Sequence, residues 1–257
     1  MILSRPDQLS YIPRKIVSLV PSQTALLHHL GLENEVTGIT KFCIHPESWR
    51  LGKPIIGGTK NIHIEKILAL EPDLVIANKE ENIREQVKIL AEKIPVWVTD
   101  VNDLPGALQM ISDLGILTGK TDEANLLTGS IQDRFNQLNN PIPIPVAYLI
   151  WRNPYMTVGN DTFIHDMLHR SGFSNVFGHL TRYPEIDIEA LEKSGSKVIL
   201  LSSEPYPFSE KHIDEIAQHL PGVKIMLADG ELFSWYGSHL LESPDYFKKL
   251  YIECLNT

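Results

Sequence analysis

Basic residues are the minority among the charges of this 257-residue chain, in which 23 Lys and Arg stand against 32 Asp and Glu and the formal net charge is −9. Nucleic-acid affinity depends mainly on Lys and Arg side chains that neutralise phosphates. Because the chain is acidic and has no basic run, the sequence predicts that it does not bind nucleic acid.

Cysteine is equally scarce, since Cys43 and Cys254 are the only two and lie far apart. Neither a disulfide framework nor a metal-binding cysteine pattern is indicated. Among ten histidines, His165 and His169 have the i, i+4 spacing of two ligands on one helix face, but no HExxH glutamate or third ligand accompanies them. We therefore expect no metal site of the protein's own and place this pair on a solvated helix surface.

Long apolar runs are missing too, and none approaches the ~20 residues that a membrane-spanning helix requires. The first residues, MILSRPDQLSYIPRKIVSLV, contain no apolar signal region, no small-residue cleavage site and no cysteine placed for lipid attachment. We expect no membrane span, and the sequence as written carries no signal for export.

Enzyme signatures are not found. There is no GxSxG elbow, no P-loop and no GxGxxG after a strand, and Gly57-Gly58-Thr59 is too short to count as one. We therefore predict a binding protein with no catalytic residues.

A repeated pattern is the most informative feature that is present. The stretch HIEKILALEPDLVIA begins at His63, and DIEALEKSGSKVILL begins at Asp187, half a chain later. In each, apolar residues at helical spacing give way to a continuous apolar run, as expected where an amphipathic helix leads into a buried parallel strand. The separation is too long for a solenoid repeat and indicates a duplicated domain.

Strand and helix signals alternate through both halves, with Ser, Thr or Asp where helices begin and Gly where they end. We predict an α/β fold of two Rossmann-like lobes with central parallel sheets, joined by one long backbone helix. The helix is predicted from the apolar stripe through Ala124 and Leu138 and ends at Asn140-Pro141. The expected domains are an amino-terminal lobe (1–118), a connecting helix (119–140) and a carboxyl-terminal lobe (141–257). An ordinary surface helix is the alternative for the connector.

Five motifs in order carry a family resemblance. They are the PSQT turn, GGTKNIHIEKILALEPDLVIA, the mid-chain helix, VGNDTFIHDMLHRSGFSNVFG and DGELFSWYGSHLLESP. From about Lys15 to Tyr251, the chain resembles the substrate-binding proteins of ABC importers for cobalamin, haem and iron-siderophore complexes, and is closest to the cobalamin-binding branch. The resemblance implies a monomer that holds a cobalt or iron chelate between its lobes, delivers it to the importer's membrane subunits and has no cofactor of its own.

The resemblance also implies a role for the repeat, because each lobe of such proteins presents one acidic residue to the transporter. By position these residues are Glu65 and Glu189. Helix-dipole stabilisation of an acidic residue in a first turn is the alternative. The family location is periplasmic or at the cell surface. A cytoplasmic carrier or accessory protein for a corrinoid or haem is the alternative, because no leader is seen.

Ligand contacts are expected on loops that leave the carboxyl ends of the strands. The carboxyl-terminal loops are rich in aromatic residues, whose flat rings suit a planar macrocycle, although aromatics at strand ends also cap cores. The candidate ligand-binding residues are Ser22, Gln23, Thr24, Lys41, Phe42, Thr59, Trp151, Tyr155, Tyr206, Trp235 and Tyr236. On this reading, Trp235→Ala weakens ligand binding at least tenfold and leaves the melting temperature nearly unchanged.

The charges on these loops favour one ligand class. The available cations are few, and Glu204 and Glu231 oppose them; they are Lys41, Lys60, Lys79, Arg152 and Arg182. A multiply anionic ferric siderophore needs several converging cations. A largely neutral corrinoid is therefore expected, with an iron-siderophore as the alternative, or haem ligated by His45, Tyr155 or Tyr236.

Overall fold

A computed structural model describes residues 1–139 and 142–256, and the chain divides into two compact units. Unit 1 consists of Met1–Val101, Pro105–Ser130 and Tyr236–His239. Unit 2 consists of Asn102–Leu104, Ile131–Trp235 and Leu240–Thr257.

Unit 1 is built on a five-stranded parallel sheet. In chain order its strands are β1 (Ile2–Leu3), β2 (Ile16–Ser18), β3 (Val36–Ile39), β4 (Leu74–Asn78) and β5 (Val96–Thr99), and their order across the sheet is β1-β5-β4-β2-β3. Its helices are α1 (Pro21–His29), α2 (Glu47–Gly52), α3 (Ile64–Ala69) and α4 (Arg84–Ala91). Parallel neighbours require crossover connections, and these helices supply them. Val17, Ile67 and Val75 belong to the core between the sheet and the helices.

Unit 2 repeats this plan with a four-stranded parallel sheet. The strands of the unit are β6 (Ile144–Leu149), β7 (Tyr155–Met156), β8 (Phe173–Asn175), β9 (Glu185–Ile186), β10 (Val198–Ser202) and β11 (Lys224–Ala228). The main sheet has the order β11-β10-β6-β8, and β7 pairs antiparallel with β9 in a separate ribbon. The remaining helices of the unit are α7 (Phe163–Arg170), α8 (Ile188–Lys193), α9 (Glu210–Ala217), α10 (Gly230–Ser234) and α11 (Ser243–Leu255). Leu149, Ile199 and Ile216 lie in its core.

Two further helices follow β5. They are α5 (Leu104–Thr118) and α6 (Thr121–Asn136), and α6 begins in unit 1 and ends in unit 2. At about 1.5 Å per residue, the 16 residues of α6 extend roughly 24 Å. The α/β fold of two lobes with parallel sheets is therefore confirmed, and the long helix α6 passes along the chain from one unit into the other. The predicted domain bounds stay a prediction, and Asn140-Pro141, the predicted helix end, lies outside the described residues.

The duplicated pattern corresponds to two equivalent helix-strand pairs. Helix α3 leads into β4, helix α8 leads into β10, and both strands are buried along their whole length. The helices differ at their first residue: the Asp187 carboxylate accepts the Ala190 N–H at 2.8 Å, whereas His63 makes no side-chain cap bond. The repeat is thus the same in topology but not in its helix caps.

Some element boundaries differ from the predicted ones. Helix α1 begins at Pro21, so the PSQT segment forms its first turn instead of preceding it. Proline suits this place because the first N–H groups of a helix have no partner in the helix. A membrane-crossing helix, which must be long as well as apolar, does not occur in residues 1–139 and 142–256.

Candidate ligand-binding site

The carboxyl ends of the unit 1 strands carry a buried polar network. Gln23 in α1 is fully buried and donates from Nε2 to the Thr99 hydroxyl at 2.5 Å. Asn78 at the end of β4 donates to the same hydroxyl at 3.1 Å. Within the described part of the chain, Oε1 of Gln23 is buried without a hydrogen-bond partner. Gln23 is therefore fixed at the end of the sheet, beneath the surface.

Ser22 and Thr24 are buried beside it. The Thr24 hydroxyl donates to the Val20 carbonyl at 2.9 Å and lies 2.7 Å from the Ser18 hydroxyl and 3.1 Å from the Cys43 sulfur. These contacts hold the turn between β2 and α1. Burial also raises the pKa of the Cys43 thiol, so this cysteine stays protonated in neutral solution.

Thr59 and Glu81 form a second polar group of unit 1. Asn82 donates to the Thr59 carbonyl at 3.0 Å, and Lys60 donates to the Glu80 carbonyl. Burial raises the pKa of Glu81, against the opposing effect of the Lys60 charge. This carboxyl is therefore easier to protonate than one in water.

Lys41 and Phe42, by contrast, are exposed. The Lys41 ammonium lies 4.9 Å from the centre of the Phe42 ring, which is 50% exposed. Nearby in the sequence, the His45 ring lies 5.4 Å from that of His239. Of the candidates in unit 1, Phe42 offers the largest apolar surface to solvent.

An aromatic cluster lies at the strand ends of unit 2. The Tyr206 ring centre is 5.7 Å from Trp151, 4.8 Å from Phe208 and 5.4 Å from His212. Trp151 is 40% exposed, whereas Phe208 and His212 are buried. The structure thus brings two of the predicted residues, Trp151 and Tyr206, into edge-to-face contact, which is a favoured geometry for aromatic pairs.

An ion pair holds the neighbouring loop. Arg152 donates from Nη2 to both carboxylate oxygens of Glu215 at 2.7 Å, and the Tyr155 hydroxyl donates to Glu215 Oε1 at 3.2 Å. The hydrogen bond from Arg152 lowers the pKa of Glu215, so this carboxylate stays charged, and the ion pair persists, to a lower pH than for an ordinary carboxylate. Arg152 is therefore already matched by a carboxylate.

Trp235 lies deeper than predicted. Only 7% of it is exposed, and its indole N–H donates to Glu204 Oε1 at 2.9 Å, an oxygen that also accepts the Ser234 hydroxyl. This burial contradicts the basis of the expectation that Trp235→Ala leaves the melting temperature nearly unchanged, because truncating a buried Trp costs about 3–5 kcal/mol. Tyr236, which belongs to unit 1, is also buried.

The two acidic residues of the repeat occupy equivalent places. Glu65 is the second residue of α3, Glu189 is the second residue of α8, and both are exposed. Glu189 forms an ion pair with Lys193 on its own helix. The sequence reasoning did not single out Glu215 or His212, since a charged or imidazole side chain on an amphipathic helix gives no signal of its distant partner.

The fold and the side chains at the strand ends together indicate the class of protein. The chain has two α/β units with parallel sheets, polar and aromatic side chains at the carboxyl ends of the strands, and a helix that runs from one unit into the other. These are the features of a two-lobed small-molecule-binding protein. The chain belongs to the periplasmic binding protein family, whose model matches residues 16–228. Members of this family are substrate-binding transport proteins, found in the periplasm or at the cell surface.

Among curated relatives, the chain is 27% identical over 201 residues to the uncharacterized ABC transporter substrate-binding lipoprotein YvrC of Bacillus subtilis, with 73% of this chain and 63% of that protein covered. It is 21% identical to the vitamin B12-binding protein of Pectobacterium carotovorum, over 90% of this chain and 85% of the other. The chain therefore spans less than two thirds of the Bacillus relative.

Solved structures share the fold. The periplasmic vitamin B12-binding protein BtuF of Vibrio cholerae superposes with a TM-score of 0.81 at 20% identity, over 95% of this chain and 99% of that one. A periplasmic haem-binding protein of Pseudomonas aeruginosa superposes with a TM-score of 0.82 at 19% identity, over 96% and 94%. The same architecture thus occurs in proteins named for two different tetrapyrrole-type ligands.

Proposed function

We propose that this protein is the substrate-binding component of an ABC importer and that its substrate is a metal chelate of the corrinoid type. Cobalamin is the reference ligand for this proposal. It is large and flat and is bordered by neutral amides, so its receptor needs apolar rings and hydrogen-bonding groups more than cationic charge.

The observation that carries the proposal is that the candidate cations already have interaction partners. Lys79 lies 2.5 Å from the Asp100 carboxylate, Arg182 lies 3.8 Å from that of Asp161, and Arg152 is paired with Glu215. Lys60 donates to a backbone carbonyl, and Lys41 lies against a ring. Because each of these cations already has a neighbour in its own unit, they form a poor receptor for a multiply anionic siderophore.

The exposed aromatic side chains support a flat ligand. Trp151 and Phe42 each present a large part of their ring to solvent, whereas Trp235 and Tyr236 are buried. An exposed ring offers stacking area at a small cost in side-chain entropy. We therefore assign the direct ring contacts to Trp151 and Phe42 and regard Tyr155 and Tyr206 as neighbours of Trp151 within unit 2.

The relatives support the same ligand class. Several curated relatives are named vitamin B12-binding or cobalamin-binding proteins, including one from Halobacterium salinarum. Haem is the second candidate, because haem-binding proteins are among the structural neighbours and His45, Tyr155 or Tyr236 would supply an axial ligand. The fold itself does not choose between them.

A parallel titration tests the proposal. Purified protein is titrated with cyanocobalamin, haemin and a ferric catecholate while its tryptophan fluorescence is followed. We expect quenching that saturates at one equivalent with cyanocobalamin alone. Saturation with haemin and a new Soret band would assign the chain to haem, and saturation with the catecholate would refute the argument from the occupied cations.

A pair of variants then tests the contact residue. Trp151→Ala is expected to weaken cyanocobalamin binding about tenfold, since loss of a stacked aromatic ring costs roughly 1–3 kcal/mol in comparable stacking contacts. Ile252→Ala on α11 is the matched control, because Ile252 is an exposed apolar side chain of the same unit and outside the predicted ligand set. Equal affinities for both variants and the wild type would remove Trp151 from the site.

The transporter partner is the second part of the proposal. Glu65 and Glu189 occupy equivalent exposed places on α3 and α8, as expected if each unit contributes one docking contact. With an ABC importer in liposomes, Glu65→Ala with Glu189→Ala should abolish stimulated uptake and leave ligand affinity unchanged. Glu192→Ala, an exposed change on α8, is the control, and uptake equal to the control would reject docking through these residues.

A further inference from the structure

Helix α9 has two polar side chains directed at the loops that carry the aromatic cluster. His212 and Glu215 are three residues apart, so they lie on one face of the helix. Their partners are on two other segments: Tyr206 and Ser209 precede the helix, while Arg152 and Tyr155 lie about 60 residues earlier in the chain. One helix face thus holds both loops of the cluster.

Glu215 uses both carboxylate oxygens. Oε1 accepts from Arg152 Nε at 3.2 Å and Nη2 at 2.7 Å and from the Tyr155 hydroxyl at 3.2 Å, and Oε2 accepts from Nη2 at 2.7 Å. Such a planar, multiply bonded arrangement fixes direction as well as distance. The residues on either side of Arg152 and Tyr155 therefore have little freedom, and Trp151 is one of them.

His212 holds the second loop. Its Nδ1 accepts the backbone N–H of Ser209 at 2.9 Å, which assigns the remaining ring proton to Nε2, 3.2 Å from the Tyr206 hydroxyl. Its ring also packs edge-on against Phe208 at 5.4 Å. Since only 3% of His212 is exposed, these contacts are shielded from water.

We infer that Glu215 is a positioning residue for the ligand-binding loops: with His212 on the same face of α9, it fixes Arg152, Tyr155 and Tyr206 and so sets the orientation of the exposed Trp151 ring before ligand arrives. The inference rests on the proposed function for its consequence in binding. Its structural content, the orientation of Trp151, is independent of which ligand binds. Ordering these side chains in advance removes an entropy cost that binding otherwise bears.

The test is fluorine NMR of protein labelled with 5-fluorotryptophan, without ligand. Four Trp residues give four resonances, and Trp151→Phe identifies the one that belongs to Trp151. Glu215→Ala should shift and broaden this resonance, while those of Trp49, Trp97 and Trp235 stay in place. Glu215→Gln, which keeps one oxygen acceptor, should give a smaller change in the same direction.

The control and a second route keep the inference open to refutation. Asp214→Ala changes the adjacent exposed acidic residue of α9 and should leave all four resonances unmoved. If Glu215→Ala does not fold, Tyr155→Phe removes only the hydroxyl bond, and His212→Phe removes only the polar contacts of that ring; each should move the Trp151 resonance. A Trp151 resonance that coincides with wild type in the folded variants would overturn the inference.

Binding measurements separate this inference from the proposed function. If cyanocobalamin is the ligand, its dissociation constant should rise about 3- to 30-fold in Glu215→Ala through loss of preorganisation. A moved resonance with no cyanocobalamin binding even in the wild type would reject the proposed ligand and retain the positioning role. A Trp151 resonance that is unmoved in Glu215→Ala, together with normal cyanocobalamin binding, would reject the positioning role and retain the proposed ligand.

Discussion

Replacement of Trp235 by alanine should destabilise the protein strongly, because this side chain is buried and bonded. It is 7% exposed, and its N–H donates to Glu204 at 2.9 Å. Truncation therefore removes apolar contacts and also the indole N–H that donates to Glu204 Oε1. The Ser234 hydroxyl donates to the same oxygen.

The magnitude follows from the area removed from water. A buried Trp contributes about 150–250 Å², which at about 25 cal/mol per Å² corresponds to roughly 4–6 kcal/mol as an upper bound. Trp→Ala changes in cores cost about 3–5 kcal/mol. For a protein of this size, about 2–4 °C of melting temperature is lost per kcal/mol, so we expect a decrease of roughly 6–20 °C.

The assay is differential scanning calorimetry of Trp235→Ala beside Trp151→Ala. Trp151 is the matched control because it is also an indole of unit 2 but is 40% exposed, so its truncation should cost about two-thirds as much at most. A Trp235→Ala melting temperature within about 2 °C of wild type, or equal losses for the two variants, would refute the argument from burial.

Three more predictions concern unit 1 and the helix repeat. Burial raises the folded-state pKa of Glu81 above its ordinary 4.5, so the protonated carboxyl favours folding at low pH, and this contribution is lost as the pH rises through the folded-state pKa. Glu81→Gln should remove this pH dependence of the unfolding free energy and should be more stable than the wild type at pH 7. Urea unfolding at several pH values measures both effects. Asp187→Ala should lower the free energy of unfolding in urea by about 1 kcal/mol, because it deletes the side-chain cap of α8. His63→Ala at the equivalent place of α3 should lower it much less, since His63 makes no side-chain cap bond. Equal losses for the two variants would contradict the cap assignment. Gly38→Ala should destabilise by about 1–3 kcal/mol, because a β-carbon there would lie 2.7 Å from the Leu70 side chain; a neutral result in thermal melts would mean that Leu70 moves aside freely.

The sequence by itself determined the repeated plan of the protein. The Ile-Glu helix and the apolar strand after it were readable in both halves because helical spacing and continuous apolar runs are local patterns, and α3, β4, α8 and β10 appear where they predict. The family resemblance came from the order of several such local motifs, and the family match confirms it.

Only the tertiary structure decided which candidate side chains are exposed and which are held. Loop composition suggested that Trp235 is accessible, but burial depends on the segments that pack over it, and the structure places it inside. The bond between Gln23 and Thr99 joins residues 76 positions apart, and the pair Arg152–Glu215 joins residues 63 positions apart. No local pattern encodes such partners, because the crossover topology of each unit brings together residues that are distant in the sequence.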